Sequence, residues 1–265
     1  MGACIELRGL SRRYGQRLAV ENLTLSVAAG ELLALVGESG CGKTTALKMI
    51  NRLVEPSAGR VLLDGIDVTR GPAHQLRRRI GYAFQRIGLF PHMTVAENVG
   101  ITPSLLGHDP ARIRTRVDEL LALVELDAGD VRDRMPAELS GGQQQRVGVA
   151  RALAAAPDVL LLDEPFGALD PLTRDRLRTS FHAIHRRLSL TSILVSHDMS
   201  EALLLADRIA VMRAGALVQV GTPSQVLCEP ADDYVRGMLE TPMRESRQLT
   251  GLLEQANPAS AAGAR

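Results

Sequence analysis

The sequence predicts an α/β fold with a parallel sheet at its centre and two closely joined lobes. Three observations carry this expectation. The short apolar runs Leu32–Val36, Val159–Leu162 and Ser192–Val195 each give way to polar or charged residues, the pattern of a strand buried on both faces that emerges at a ligand edge. Hydrophobic residues make up 45% of the chain but aromatics only 3%, with no tryptophan, so the core rests on Leu, Val, Ile and Ala. At 265 residues the chain forms one large domain or two closely joined lobes, and the motif order favours the second.

Taken in order, Ile5 to Val27 alternates as strands of an antiparallel lobe, with turns near Tyr14-Gly15 and Ala29-Gly30. After Leu32–Val36 comes Gly37-Glu38-Ser39-Gly40-Cys41-Gly42-Lys43-Thr44, which fits G-x-x-x-x-G-K-[ST] in its strand-to-helix setting. Its glycines let the backbone wrap a phosphate chain, with successive N–H groups and a helix N-terminus facing the anion. Lys43 then reaches the β- and γ-phosphates and Thr44 ligates Mg²⁺, while Thr45 opens a helix that packs through Ala46, Leu47, Met49 and Ile50. Gln85 follows a strand from Ile80 to Phe84, and by itself reads equally as a plain strand-end polar residue. From Ile113 to Leu126 a stripe of Ile113, Val117, Leu120, Leu121 and Val124 marks a helix of the second lobe.

Leu139-Ser140-Gly141-Gly142-Gln143 is a second helix start suited to an anion. Ser140 and Gln143 stand in capping-box positions and Gly141 and Gly142 leave the backbone open, yet no lysine or metal hydroxyl accompanies them. One complete nucleotide site plus one extra anion site suggests that the extra site completes another molecule's nucleotide. Alone, the stretch also reads as an ordinary capped helix.

Val159–Leu162 ends in Asp163-Glu164-Pro165, two acids at a strand's carboxyl end, where Asp163 is placed to hold Mg²⁺ through water and Glu164 to polarise an attacking water. Asp170 then caps a helix that begins at Pro171. His197 follows the Ser192–Val195 strand as a γ-phosphate candidate, though a lone histidine there also reads as a solvated loop residue. Ile209–Met212 and Leu217–Val220 flank a hairpin turn, and Thr222 with Gln225 caps another helix. Patterning weakens after Thr241, and the small-residue stretch 257–265 reads as disordered.

The order of Tyr14, the phosphate loop, Gln85, Leu139–Gln143, Leu160–Glu164, Ala168-Leu169-Asp170 and His197 resembles the nucleotide-binding subunit of ATP-binding cassette transporters. The resemblance runs from Ile5 to about Leu239. It implies a P-loop NTPase (RecA-like) α/β core with an antiparallel β lobe and an inserted α-helical subdomain: residues 1–240 as the ATPase, with core 1–85 and 157–240 and helical subdomain 86–156, then a short, partly disordered tail over 241–265. It implies ATP and Mg²⁺ as cofactors and two copies packed head to tail around two ATP molecules. Residue by residue, Tyr14 stacks on adenine, the segment from Gly37 to Thr45 holds phosphate, and Thr44, Gln85 and Asp163 serve Mg²⁺. Glu164 is the general base and His197 the γ-phosphate switch. Asp170 contacts the other copy, and Ser140, Gly141, Gly142 and Gln143 face that copy's ATP. Arg12, Arg13 and Tyr14 equally suit an exposed strand edge.

Met49–Pro56 and Ile87–Asn98 look like the osmoprotectant branch of bacterial importers, which take up glycine betaine, choline, carnitine or proline. That resemblance implies transmembrane permease subunits, a periplasmic or lipid-anchored substrate-binding protein, and a place on the cytoplasmic face of the inner membrane. Partner choice is expected in Ile87–Asn98. Arg86 and His108 stand where glutamine and tryptophan are expected in many relatives. The ATPase of another transporter, an amino acid importer or an exporter, is the nearer rival, set apart by a partner-facing segment unlike Ile87–Asn98. A soluble cassette ATPase acting on DNA or ribosomes is the rival from another class, but the interval from Gly42 to Ser140 leaves no room for a long coiled-coil insertion and the chain has a single phosphate loop.

A formal net charge of +1 gives no overall pull toward nucleic acid or an anionic membrane, and Arg77-Arg78-Arg79 and Arg186-Arg187 read as solvated clusters. No apolar stretch is long enough for a membrane span or a signal segment, so a cytoplasmic chain is expected. Cys4, Cys41 and Cys228 lack metal-ligand spacing and read as reduced thiols. Cys41, beside Lys43, is either a reactive thiol or a small residue that fills the loop.

Overall fold

The computed structural model describes residues 3–84, 88–167 and 169–256. Met1, Gly2, Gln85, Arg86, Ile87, Ala168 and Asn257 to Arg265 lie outside the described residues. Two sheets organise the chain.

The antiparallel sheet has strand order β2-β1-β4-β5, from β1 (Ile5–Tyr14), β2 (Arg17–Val27), β4 (Ala58–Leu63) and β5 (Ile66–Asp67). β1 and β2 form a hairpin closed by the Tyr14–Arg17 pair. β1 is an inner strand, but Tyr14 lies at its end, beyond the last pairing with β4 at Ser11–Ala58, so it pairs only with Arg17 and stays exposed. The second sheet has order β10-β9-β3-β8-β7-β6, from β3 (Leu32–Val36), β6 (Ile80–Ala83), β7 (Val159–Asp163), β8 (Thr191–Ser196), β9 (Arg208–Arg213) and β10 (Ala216–Gly221). Only β10 runs antiparallel to its neighbour.

Alternation along these strands builds the core, because successive side chains point to opposite faces. Leu33, Leu35, Leu161, Ile193 and Val195 face the antiparallel sheet and helix α1 (Lys43–Ile50). Leu160, Leu162 and Leu194 face the other way and join Val99, Leu120, Leu121, Val147 and Phe181 in one cluster. That cluster merges the helical lobe with the sheet. The lobe consists of α3 (Val95–Leu105), α4 (Pro110–Leu123), α5 (Ala128–Val131) and α6 (Gly141–Leu153).

Register places the chemistry. Val36 pairs with Ser196 and Asp163 with Val195, so the loops after β3, β7 and β8 leave the sheet at one edge. Helices α7 (Pro171–Leu188), α8 (Met199–Leu205), α9 (Pro223–Cys228) and α10 (Asp233–Ala256) complete the chain. Asp170, Asp198 and Thr222 cap the first three through backbone N–H groups.

Several expectations change. The expected tail boundary at 240 falls inside α10, which passes through Pro242 and runs to Ala256. Proline removes one backbone donor and disfavours a continuous helix, which masked the pattern in the sequence. The arginines of α2 (Ala73–Arg79) are not simply solvated. Arg77 donates to the carbonyls of Asn51 and Arg52, while Arg79 pairs with Asp158 at 2.7 Å and Asp64 at 3.3 Å. Asn98 is fully buried, and its amide accepts from the Phe90 N–H and donates to the carbonyls of Phe90, Met93 and Thr94. Within the segment expected to choose the partner, Asn98 therefore shapes the loop, and Phe90 is left facing solvent.

Candidate active site

Gly42 adopts φ +110 as it enters α1, and a Cβ there would lie 2.3 Å from the Ala19 carbonyl. Only glycine suits both the torsion and the approach. The loop wraps a cleft of about 410 Å³ lined by Tyr14, Arg17, Ser39, Lys43, Thr45 and Glu164, among others. Gly40, Gly42 and Thr44 also reach it. Gly37 and Cys41 are buried behind the loop, and Glu38 lies on its outer side against α10. The buried Cys41 thus fits the loop-filling reading.

Lys43 is buried, with Nζ donating to the Gly37 carbonyl at 2.6 Å and the Glu38 carbonyl at 2.9 Å. The Thr44 hydroxyl donates to Asp163 Oδ1 at 2.9 Å, and the Tyr82 hydroxyl donates to Asp163 Oδ2 at 3.4 Å. Burial pushes the Asp163 carboxyl up and the Glu164 charge reinforces this, against the Thr44 bond. Burial and the Asp163 charge likewise push the Tyr82 phenol up, so it stays a donor. A hydroxyl and a carboxylate meeting beside a phosphate loop are hard oxygen donors of the kind Mg²⁺ takes.

Glu164 sits at φ +50, uncommon for a side-chain-bearing residue, and its N–H donates to the Val195 carbonyl at 3.0 Å. Gln145 of α6 donates to the Glu164 carbonyl at 3.2 Å. This turn brings the Glu164 carboxylate to 3.5 Å from His197 Nδ1, on the loop after β8. Helix α7 braces both loops. Arg174 donates to the Phe166 and Leu169 carbonyls, while Arg178 bonds Asp198 and Glu201 at 2.9 Å each. Burial pushes Glu201 up. Burial would also raise Asp198, but the Arg178 bond and the amides of Glu201 and Ser200 overcome it and hold that carboxyl below the usual range. Arg178 thus ties the loop after β8 and the start of α8 to α7 through two carboxylates.

Ser140 caps α6 as expected. Its Oγ accepts from the Gln143 N–H at 3.2 Å, and the Gln143 side chain accepts from the Ser140 N–H at 2.9 Å. Ser140 and Gly141 are exposed, and a Cβ on Gly141 would meet nothing within 4 Å. Neither lines the cleft, nor does exposed Asp170, whose carboxyl is held low by the Thr173 N–H that it caps. Tyr14 does line the cleft, 45% exposed, with the Arg12 guanidinium 4.5 Å from its ring centroid. The Gln85 expectation lies outside the described residues. Sequence reasoning missed Arg17, whose Nη2 donates to the Gly40 carbonyl at 3.3 Å, and the roles of Tyr82 and Gln145. Nothing in their local spacing signals the cross-chain contacts that give them a role.

The family model for ABC transporters matches residues 20–167, the span that holds the phosphate loop, the Ser140 helix start and both acids. The chain belongs to the ABC transporter family. The cassette is 51% identical over 232 residues to the choline transport ATP-binding protein of Bacillus subtilis, covering 87% of this chain and 61% of that protein. It is also 51% identical to the glycine betaine uptake system ATP-binding protein of Escherichia coli, covering 88% of this chain and 75% of the relative. Among solved structures, a dimeric ATP-binding cassette in a post-hydrolysis state with ADP and Pi matches with a TM-score of 0.76 at 30% identity, covering 83% of this chain and 98% of that one. The chain spans about three fifths of the length of the first curated relatives it matches. Among the described residues, no helix is long and apolar enough to cross a membrane.

Proposed function

We propose that this chain is the ATP-hydrolysing subunit of a bacterial importer for a quaternary ammonium osmoprotectant: glycine betaine, choline, carnitine or proline betaine. The convergence of Lys43, the Thr44–Asp163 pair and the Glu164–His197 pair on one sheet edge, with the Ser140 helix start turned outward, carries the reading. The names of the choline and glycine betaine relatives support the cargo class.

Two copies close around two ATP molecules, each presenting Ser140, Gly141, Gly142 and Gln143 to the other's nucleotide, with Asp170 at the seam. Phosphoryl transfer is governed by positioning and charge neutralisation. Lys43 exchanges its loop carbonyls for phosphate oxygens, and Tyr14 packs against the base. Thr44, Asp163 and Gln85 would hold Mg²⁺, which neutralises phosphate charge when bound. Glu164 orients and deprotonates the attacking water, and His197 holds the γ-phosphate side of the site.

An apolar groove of about 520 Å³, lined by Tyr82, Phe84, Phe90, Ile101, Leu105 and Arg151, suits a short helix of a permease. Arg151 lies near the far end of α6 from Ser140, so one rigid helix joins the groove to the nucleotide seam. The permease keeps the subunit at the cytoplasmic face of the inner membrane and receives cargo from a periplasmic or lipid-anchored binding protein. Nucleic acid plays no part.

We expect Glu164→Gln to bind ATP, lose at least a hundredfold in turnover and elute as a nucleotide-dependent dimer. Wild-type turnover in that variant would remove Glu164 as the base. Uptake of labelled betaine, choline, carnitine and proline betaine after deletion of the gene, with sulfate as an unrelated cargo, tests the transport reading.

A further inference from the structure

We infer that Tyr234, on the C-terminal helix α10, is a positioning residue for the phosphate loop: its hydroxyl fixes the Gly37–Glu38 peptide, so that nucleotide affinity depends on α10. The inference rests on the nucleotide-site reading above.

The Glu38 N–H donates to Tyr234 Oη at 3.1 Å, across 196 positions of sequence. The same hydroxyl donates onward to the Met212 carbonyl at 3.4 Å. Met212 belongs to β9, and its carbonyl lies 2.2 Å from where a Cβ on Gly37 would stand. The end of one strand, the start of the phosphate loop and the phenol of α10 therefore meet at one point. Burial pushes the Tyr234 phenol up, so it keeps its proton and accepts and donates at once at neutral pH.

The ring is held independently of its hydroxyl. It packs against the cluster that contains Val211, Val235 and Leu239, with the Arg213 guanidinium 4.9 Å from its centroid. Asp232 in turn lies 3.9 Å from Arg213. Deleting the hydroxyl leaves these anchors in place. Elsewhere α10 stands off from the catalytic loops across an open cleft of about 480 Å³, whose walls include Glu38, His197 and Pro242.

The Gly37–Glu38 peptide group is gripped on both sides, by Tyr234 at the Glu38 N–H and by Lys43 at the Gly37 carbonyl. Lys43 must release the Gly37 and Glu38 carbonyls to reach a phosphate. The loop is then anchored at this turn by Tyr234. Without the hydroxyl, Gly37, a glycine at φ +150, adjoins an amide with no fixed partner, and the incoming nucleotide must order the turn itself. That cost falls on binding and not on the chemical step, because the phenol's hydrogen bonds go to Glu38 and Met212 and not to the Glu164–His197 pair.

The test compares the full chain with Tyr234→Phe and Tyr234→Leu, reading affinity for a fluorescent ATP analogue with Mg²⁺, KM and kcat for ATP, and the nucleotide-free melting temperature. Tyr234→Phe is expected to weaken affinity and raise KM about fivefold, the scale of one neutral hydrogen bond, with kcat within about twofold and melting unchanged. Tyr234→Leu, which also loses the ring, is expected to melt earlier. Wild-type affinity in Tyr234→Phe would overturn the inference, and so would an affinity loss matched by equal losses in kcat or melting temperature. A wild-type chain that fails to bind the analogue would overturn the nucleotide reading itself and this inference with it.

Discussion

The starts of α1 and α6 are both open to an anion, but they are built in opposite ways. At α1, Gly42 has no side-chain cap, Lys43 is buried, and the loop before it is pressed against the carbonyls of Ala19 and Met212. At α6, Ser140 and Gln143 satisfy each other, and Gly141 looks into open space. The first site is shaped by distant parts of the chain. The second is shaped by four consecutive residues and leaves its ligand to be supplied from outside. On the function proposed above, one copy therefore builds only half of a nucleotide site, which is the physical basis for expecting a dimer.

The sharpest way to break this contrast is a matched pair of glycine substitutions. Gly42→Ala places a Cβ 2.3 Å from a backbone carbonyl at a left-handed torsion, so we expect a loss on the order of 3 kcal/mol in urea unfolding together with loss of ATP binding. Gly141→Ala has free space and helical geometry, so unfolding stability should hold or rise by about 0.5–1 kcal/mol. Equal destabilisation by the two would end the distinction.

Next in size, Ser140→Ala removes a cap at a cost of about 1 kcal/mol. ATP affinity of the single copy should be retained while turnover of the assembled complex falls by roughly tenfold or more, since the donors facing the other copy's nucleotide are disturbed. Loss of affinity in the isolated chain would place Ser140 in its own copy's site instead.

The smallest effect separates the two starts by pH. The α1 site carries a buried carboxylate, Asp163, whose folded value lies above its ordinary 3.8. The helix start at Ser140 to Gln143 carries no ionisable side chain. A raised carboxyl favours the folded state below 3.8 and loses that contribution as pH rises through its folded value. Asp163→Asn should therefore be slightly more stable than wild type without nucleotide at pH 7, by about 0.5 kcal/mol, and this advantage should fade as pH falls toward 4. The Ser140→Ala difference should stay constant over the same range. Urea midpoints at several pH values provide the measurement.

Sequence patterning was most legible where structure is local. The capping boxes at Ser140 and Thr222, the Asp170 cap and the buried strands at Leu32–Val36 and Val159–Leu162 follow from propensities and hydrogen bonds within a few residues. Short or masked elements were less legible. The two-residue β5 and the arginine-rich α2 lack enough apolar periodicity to register, and Pro242 disguised the continuation of α10. Within Ile87–Asn98 the structural role of Asn98 was not legible, because its buried bonds to the loop at Phe90–Thr94 leave no trace in linear spacing.

The sequence by itself determined the chemistry available to this protein: the glycines that admit phosphate, the lysine, the paired acids and the histidine are fixed by residue type and order. Tertiary structure alone decided which of them meet. Parallel register delivers Thr44, Asp163, Glu164 and His197 to one edge, because strands paired in step end in step. It also decided that Arg174 and Arg178 brace the loops after β7 and β8, and that a phenol 196 positions away holds the Glu38 amide. Such contacts depend on where strands and helices are packed in space, and distance along the chain carries no record of that packing.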